Sequence, residues 1–178
     1  MNMDRQALWD KCVAFHGHAC GGLTIGFQAA RYAMELLELD FSADEDVVCI
    51  TENDACGVDA IQCLLGCSTG KGNLVARPRG KHAYSFFDRE SGTALRLCLR
   101  ASKNGQTGRE EWQQTLMDMP LETMFSASAP AYEAPERPRI FTSVPCETCG
   151  EGVAEPMLRF EDGKKVCLDC LRHYARRW

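Results

Sequence analysis

Leu8, Cys12 and Phe15 fall on one face of a 3.6-residue period, which predicts a helix over residues 4–15. The same period runs more strongly after a pair of glycines. Leu23, Phe27, Ala30, Met34 and Leu37 form a stripe that excludes Arg31, Glu35 and Glu38, so a core-packed helix is predicted over 22–39. Val47-Val48-Cys49-Ile50-Thr51 then breaks the period as a β-branched run behind the charged turn Asp44-Glu45-Asp46, and reads as a buried strand. From Val58 to Leu65 the helical spacing returns, Ala60/Leu64 and Ile61/Leu65 repeating at four, with Gly66 as the stop. Three further strands are predicted at 73–77, 82–87 and 93–100. In the last, Leu95, Leu97 and Leu99 alternate with Arg96, Cys98 and Arg100, and Asp88-Arg89-Glu90-Ser91-Gly92 supplies a hairpin loop. Thr107 with Glu110 forms a capping-box pattern ahead of Trp112, Leu116 and Met119, predicting a last long helix that Pro120 stops. Segregated helix and hairpin signals of this kind predict an α+β core with an antiparallel sheet and packed helices.

Pro130, Pro135, Pro138 and Pro145, set among Ala and Ser, remove N–H donors and favour extended backbone. The expected organisation is therefore an α+β core over 1–127, a proline-rich linker over 128–144 and a small zinc finger over 145–178. In that finger Cys146-x-x-Cys149 and Cys167-x-x-Cys170 have seventeen residues between the inner two, the spacing of two zinc knuckles closing on one tetrahedral ion. Metal ligation lets so short a segment fold without a hydrophobic core it cannot build. Arg159-Phe160 and Lys165-Val166 read as strand segments around Asp162-Gly163, and residues 168–178 as a closing helix. His173 competes as a ligand, although the four cysteines already complete the site. Lys164, Lys165, Arg172, Arg176 and Arg177 are interleaved with Glu161, Asp162 and Asp169, which favours a structural and partner-docking role over nucleic-acid binding.

Composition narrows the class. A chain of 178 residues with 45% apolar content holds one ordinary domain plus a small appendage. The net charge of −5 belongs to residues 1–140, with 14 Lys/Arg against 19 Asp/Glu, because residues 141–178 balance at six of each. Non-specific nucleic-acid binding by the body of the protein is disfavoured. Eleven cysteines in a secreted chain would mean disulfides, but Met1-Asn2-Met3-Asp4-Arg5 has no apolar signal core and no stretch is long enough to cross a membrane. A reducing cytoplasm is expected, where C-x-x-C pairs serve as metal ligands.

The core carries its own cluster, Phe15-His16-Gly17-His18-Ala19-Cys20-Gly21-Gly22. On a helix His16 and Cys20 face the same way; in an extended segment His18 and Cys20 do, and the glycines permit a break between the two. Cys20 precedes the 22–39 helix and Cys56 precedes the 58–65 helix, positions where free N–H groups favour thiolate. Two such thiols with one or two imidazoles would bind a borderline metal with an open position, or form a reactive thiol pair. The run from Gly66 to Asn73 lacks the length and the Ser/Thr of a nucleotide-hydrolysing loop, but as an anion-cradling nest it offers Lys71 as a point charge. Cys67 heads that loop, either reaching the Cys56 site or buried as a small thiol.

The segments Phe15-His16-Gly17-His18-x-Cys20-x-Gly22 and Cys56-x-x-Asp59-Ala60-Ile61-Gln62, the latter continuing into Gly66-Cys67-Ser68-x-Gly70-Lys71-Gly72-Asn73-Leu74, together resemble the FmdE family, named for a component of formylmethanofuran dehydrogenase. The resemblance spans residues 10–100, and the trailing four-cysteine module is similar to the finger attached to some members. It implies an intertwined α+β homodimer, a cleft lined by the His/Cys motif and an association with the molybdenum or tungsten enzyme. It also carries over His16, His18, Cys20, Cys56, Asp59, Gln62, Cys67 and Lys71 as site residues. Gly21 stands where many members have proline and Ser68 where threonine is usual. Two classes of function follow. One is a metal-binding accessory protein whose finger docks a redox enzyme. The other is a metal- or thiol-dependent enzyme in which His16 or His18 relays protons, Asp59 orients a ligand and Lys71 binds an anionic substrate group.

Overall fold

Asp4 opens the first helix, α1 (Arg5–His16), its carboxylate accepting from the Gln6 N–H at 3.3 Å. Gly17 closes it at φ +94°, a left-handed conformation that suits glycine and turns the chain immediately after His16. The computed structural model describes residues 4–172 apart from 104 and 106, and divides the chain into two compact units, Met1–Pro138 and Arg139–Trp178. In the first unit α2 (Gly21–Leu37) buries Leu23, Phe27 and Ala30 of the predicted stripe without exposure. Burial of a side chain such as Phe27 is worth about 1.5–3 kcal/mol.

A five-stranded sheet follows in the order β2-β1-β3-β4-β5, built from β1 (Val47–Thr51), β2 (Leu74–Ala76), β3 (Ala83–Asp88), β4 (Ala94–Leu99) and β5 (Phe125–Ser128). Every pairing is antiparallel except β1 with β2, which are joined through α3 (Gly57–Leu65) and run parallel. Alternation assigns the faces. Val47 and Cys49 of β1, Tyr84 and Phe86 of β3, and Leu95 and Leu97 of β4 join the helices in the main core, whereas Val48, Ile50 and Phe87 form a second apolar cluster on the other face. The α+β architecture predicted from periodicity is the one observed.

Three details differ from the sequence expectation. The helix α4 (Arg109–Asp118) starts one residue later than the Thr107/Glu110 pattern implies, so Glu111 holds its third position and accepts from the Gly108 N–H at 3.4 Å. Past Pro120 the chain makes a short helix, α5 (Leu121–Met124), and then β5, which a run of Phe-Ser-Ala-Ser did not announce. The proline-rich segment beyond Ser128 is a strap on the second face of the sheet as far as Pro138. Tyr132 packs against Phe87 and its hydroxyl lies 2.9 Å from that of Ser85, Arg89 donates to the Pro135 carbonyl at 2.7 Å, and Arg137 pairs with Asp46 at 2.9 Å. The strap shields Val48 and Ile50, which a free linker would leave in water.

The second unit consists of two hairpins, β6 (Ser143–Pro145) with β7 (Gly152–Ala154) and β8 (Arg159–Glu161) with β9 (Lys164–Val166), separated by a 3-10 turn at Glu155–Met157. Asp162 (φ +49°) and Gly163 (φ +78°) make the two-residue turn expected of an Asp-Gly pair. Residues 168–172 are turn and irregular backbone. The remainder of the predicted closing helix, His173 included, lies outside the described residues. Among the described residues no helix is long and apolar enough to cross a membrane.

Candidate metal centre

Gly26 on α2 and Gly57 on α3 put the two helices in backbone contact: a Cβ added to Gly26 would stand 1.9 Å from the Gly57 carbonyl oxygen. That approach aligns the starts of both helices. Cys20 is the N-cap of α2, its backbone extended (φ −155°, ψ 163°) and its sulfur accepting from the Leu23 N–H at 3.3 Å. Cys56 is the residue before α3, reached through a turn in which the Asn53 side chain accepts from the Ala55 N–H at 3.1 Å and donates to the Lys81 carbonyl at 3.0 Å. Gly22 sits between the thiols, and a Cβ there would meet the Cys56 Cβ at 3.2 Å.

His16, the last residue of α1, completes the group. A ring nitrogen of His16 and the sulfurs of Cys20 and Cys56 all lie within 4.8 Å of one another. The imidazole is oriented from behind: Nδ1 is 2.7 Å from Asp59 Oδ2, while Nε2 is buried and has no hydrogen-bond partner. Asp59 lies on the first turn of α3, and its other oxygen accepts from Gln62 at 3.0 Å. A carboxylate that fixes one imidazole nitrogen and leaves the other free is the usual support of a metal-binding histidine. One imidazole and two thiols suit zinc or a softer ion and leave a coordination position for another ligand, so the residues present fit a metal ion.

Burial raises the Cys56 thiol above its ordinary value, with the neighbouring Cys20 adding to the effect through a hydrogen bond and its charge. This reverses the expectation of a thiolate favoured by the helix start. Cys56 itself has helical angles and makes no side-chain cap bond, so it forgoes the N–H contacts that such stabilisation needs. A metal ion would reverse the balance by ligating both sulfurs in their deprotonated form.

The cluster opens into a cleft of about 410 Å³ lined by His16, Cys56 and Asp59 together with Thr51, Asn53, Asp54 and Thr69. These four polar residues escaped the sequence reading. Asn53-Asp54-Ala55 was legible only as a turn, with nothing to reveal that it forms a wall. A larger groove of about 710 Å³, bounded by α1, α2 and Phe41, has no convergent soft donors among the described residues.

The remaining predicted site residues divide. Gln62 is one bond behind Asp59 and belongs to the site. His18 is exposed and rests against the His16 ring, centroids 4.5 Å apart, outside the donor trio. Cys67 is fully buried, donates weakly to the Val47 carbonyl at 3.5 Å and has its thiol pushed up to about 12 by burial, which is the packing alternative. Lys71 does not serve the cleft. Its ammonium donates to the carbonyls of Ser42, Ala43 and Asp44 at 2.9, 3.4 and 2.9 Å, fastening the loop ahead of β1. Among the described residues no lysine or arginine lines the cleft, and Asp54 and Asp59 do, which removes the expected anchor for an anionic substrate.

In the C-terminal unit the sulfurs of Cys146, Cys149, Cys167 and Cys170 also lie within 4.8 Å of one another. The Cys167 N–H donates to the Cys146 sulfur at 3.3 Å, and Cys146 is lowered to about 6 by hydrogen bonds from the backbone of Cys149 and Cys167. Val153, Val166 and Leu171 supply the small apolar surround. Four converging sulfurs fit one tetrahedral ion without an open position.

Residues 15–126 match the family model described as FmdE, molybdenum formylmethanofuran dehydrogenase operon. The chain belongs to the FmdE family. Residues 139–174 match the prokaryotic dksA/traR C4-type zinc finger, in agreement with the four-sulfur cluster. A solved FmdE-like protein of the tungsten formylmethanofuran dehydrogenase type, from Syntrophus aciditrophicus, has the same fold, with a TM-score of 0.68, 22% identity, and 95% of this chain and 92% of that one covered. An Archaeoglobus fulgidus protein described as a "probable S-adenosyl-L-methionine-binding protein" is 28% identical over 192 residues. The match takes in 90% of this chain and 51% of the relative, so the chain spans about half the length of that relative.

Proposed function

We propose that this FmdE-family protein binds a metal ion in the core cleft through His16, Cys20 and Cys56, and that it works as an accessory protein of a molybdenum or tungsten enzyme of the formylmethanofuran dehydrogenase type. One observation carries the metal reading. The buried Nε2 of His16 has no partner, its ring is held through Nδ1 by Asp59, and two thiols stand within 4.8 Å. An unpartnered buried nitrogen is costly, and a metal ion satisfies it. Bound there, the ion would act as a Lewis acid with a position open to water or a ligand. The chain's own residues then have distinct tasks. Asp59 and Gln62 hold the imidazole, Cys20 and Cys56 supply charge, and Thr51, Asn53, Asp54 and Thr69 face whatever enters. The finger holds zinc and docks the partner, and the family's homodimer in a reducing cytoplasm completes this reading.

Elemental analysis of the full chain tests it. About two metal ions per chain are expected, falling to about one in the Cys20→Ser/Cys56→Ser variant with the finger intact. Unchanged stoichiometry in that variant removes the core site. For docking, the Cys149→Ser/Cys170→Ser chain should fail to capture the partner enzyme from a co-expressing cell, and undiminished capture counts against the finger's role. The acidic cleft favours a second reading, in which a cationic small molecule binds beside the metal. S-adenosylmethionine is the ligand to try first, given the Archaeoglobus relative, and equilibrium dialysis without retention of it ends that reading.

A further inference from the structure

The face of the sheet away from the helices carries a pocket of opposite character. It has a volume of about 480 Å³ and is lined by Arg77, Arg79, Lys81 and Arg96 around a single carboxylate, Glu52, with Tyr132 and the start of the strap as its wall. In a chain of net charge −5, four cations converge on this one concavity. Arg96 is spoken for, since its Nε and a terminal nitrogen reach the two Glu52 oxygens at 2.6 and 2.9 Å. Among the described residues, none of Arg77, Arg79 and Lys81 has a carboxylate within ion-pair distance.

These cations are held in place. The 77–81 loop is tied to the end of β1 by N–H donation from Arg77 to Thr51 and from Arg79 to Glu52, both at 2.8 Å, and the Asn53 amide grips the Lys81 carbonyl at 3.0 Å. The Arg77 guanidinium rests 4.5 Å over the Tyr132 ring, whose hydroxyl is anchored beside Ser85 at 2.9 Å. Like charges fixed this closely repel, and an isolated domain gains nothing from the arrangement. A multiply charged anion relieves it, and guanidinium forks match phosphate oxygens in pairs. The volume suits a small molecule.

We propose that this pocket binds a phosphate-bearing small molecule. Residue alternation gives the site a connection to the metal centre: Glu52 lines the cationic pocket while its neighbours Thr51 and Asn53 line the metal cleft, so one strand end forms a wall of both. The proposal does not depend on a metal being bound.

Isothermal titration of the full-length, zinc-replete protein with inorganic pyrophosphate is the test. One site per chain is expected, weakened about tenfold or more in Arg77→Ala/Lys81→Ala, since each lost charge-assisted contact is worth about that factor. The charge-keeping Arg77→Lys/Lys81→Arg variant, which guards against a folding defect, should retain most of the affinity. Cys20→Ser/Cys56→Ser should bind as the parent does. Absence of binding to the parent overturns the proposal, as does equal affinity in the double alanine variant. Loss in the cysteine variant alone would move the anion to the metal centre and equally overturn it. A single-stranded oligonucleotide that binds these residues when pyrophosphate does not would replace the small molecule with a nucleic-acid backbone.

Discussion

Replacing Gly26 by alanine attacks the geometry on which the metal centre rests. The new Cβ would lie 1.9 Å from the Gly57 carbonyl oxygen, 2.3 Å from its Cα and 2.4 Å from its carbonyl carbon. Ordinary contact starts near about 3.5 Å, so α2 and α3 must part by about 1.5 Å. All three obstacles are backbone atoms, and no rotamer change relieves them. The opposite side offers no slack either, because a Cβ on Gly57 would meet Tyr84 Oη at 2.5 Å and Gly26 Cα at 3.0 Å. Overpacking of this kind costs about 1–3 kcal/mol. The same separation carries Cys20, the cap of α2, away from Cys56, the residue ahead of Gly57. Metal sites tolerate displacements of about 0.2 Å, so core metal affinity should fall about 10–100-fold. Thermal denaturation gives the first quantity and chelator competition the second. Gly70→Ala is the control, since a Cβ there meets nothing within 4 Å. A Gly26→Ala protein that melts with the parent and keeps its core metal equally well would refute the helix-contact argument.

Asp59→Asn preserves shape but removes the carboxylate that fixes His16; core metal affinity should drop about 10–100-fold, measured by chelator competition, with the finger's ion unaffected. Glu52→Gln should cost about 1–3 kcal/mol in denaturant unfolding, because it breaks a buried two-bond pair with Arg96. Hydrogen bonding from Arg96, aided by the charges of Arg96, Lys81 and Arg77, holds the Glu52 carboxyl below its usual 4.5. A depressed folded value gives stability that is present above the unfolded pKa and lost as pH falls through the folded one, so the parent should weaken below about pH 4.5 and converge on the variant. Chelation of the finger should unfold residues 139–172 and leave the melting of the first unit in place, seen as selective loss of dispersed amide signals in an NMR spectrum.

Periodicity made the helices and most strands readable because each buries one face: the Leu23 to Leu37 stripe and the Leu95/Leu97 alternation both point into the core. β5 was not readable. Phe125 to Ser128 is held by pairing with β4, and only Phe125 of its side chains is buried, so its signal lies in the partner strand. The strap was misread for a related reason. Its prolines mark extended backbone in a linker and in a docked arm alike, and only the apolar face of Val48 and Ile50 distinguishes them. In the site, His16, Cys20, Cys56 and Asp59 were legible from residue type beside helix starts. Lys71 deceived because its glycine-rich surroundings resemble an anion nest, whereas the acceptors it serves are carbonyls 27 to 29 residues earlier in the chain.

X-ray absorption at the metal edge of the Cys149→Ser/Cys170→Ser chain addresses the core ion without interference from the finger. The predicted first shell contains two sulfur scatterers, near about 2.3 Å for zinc, with the imidazole of His16 and one further light atom. A metal-free protein, or a shell of oxygen and nitrogen alone, would contradict the assignment of His16, Cys20 and Cys56 as ligands.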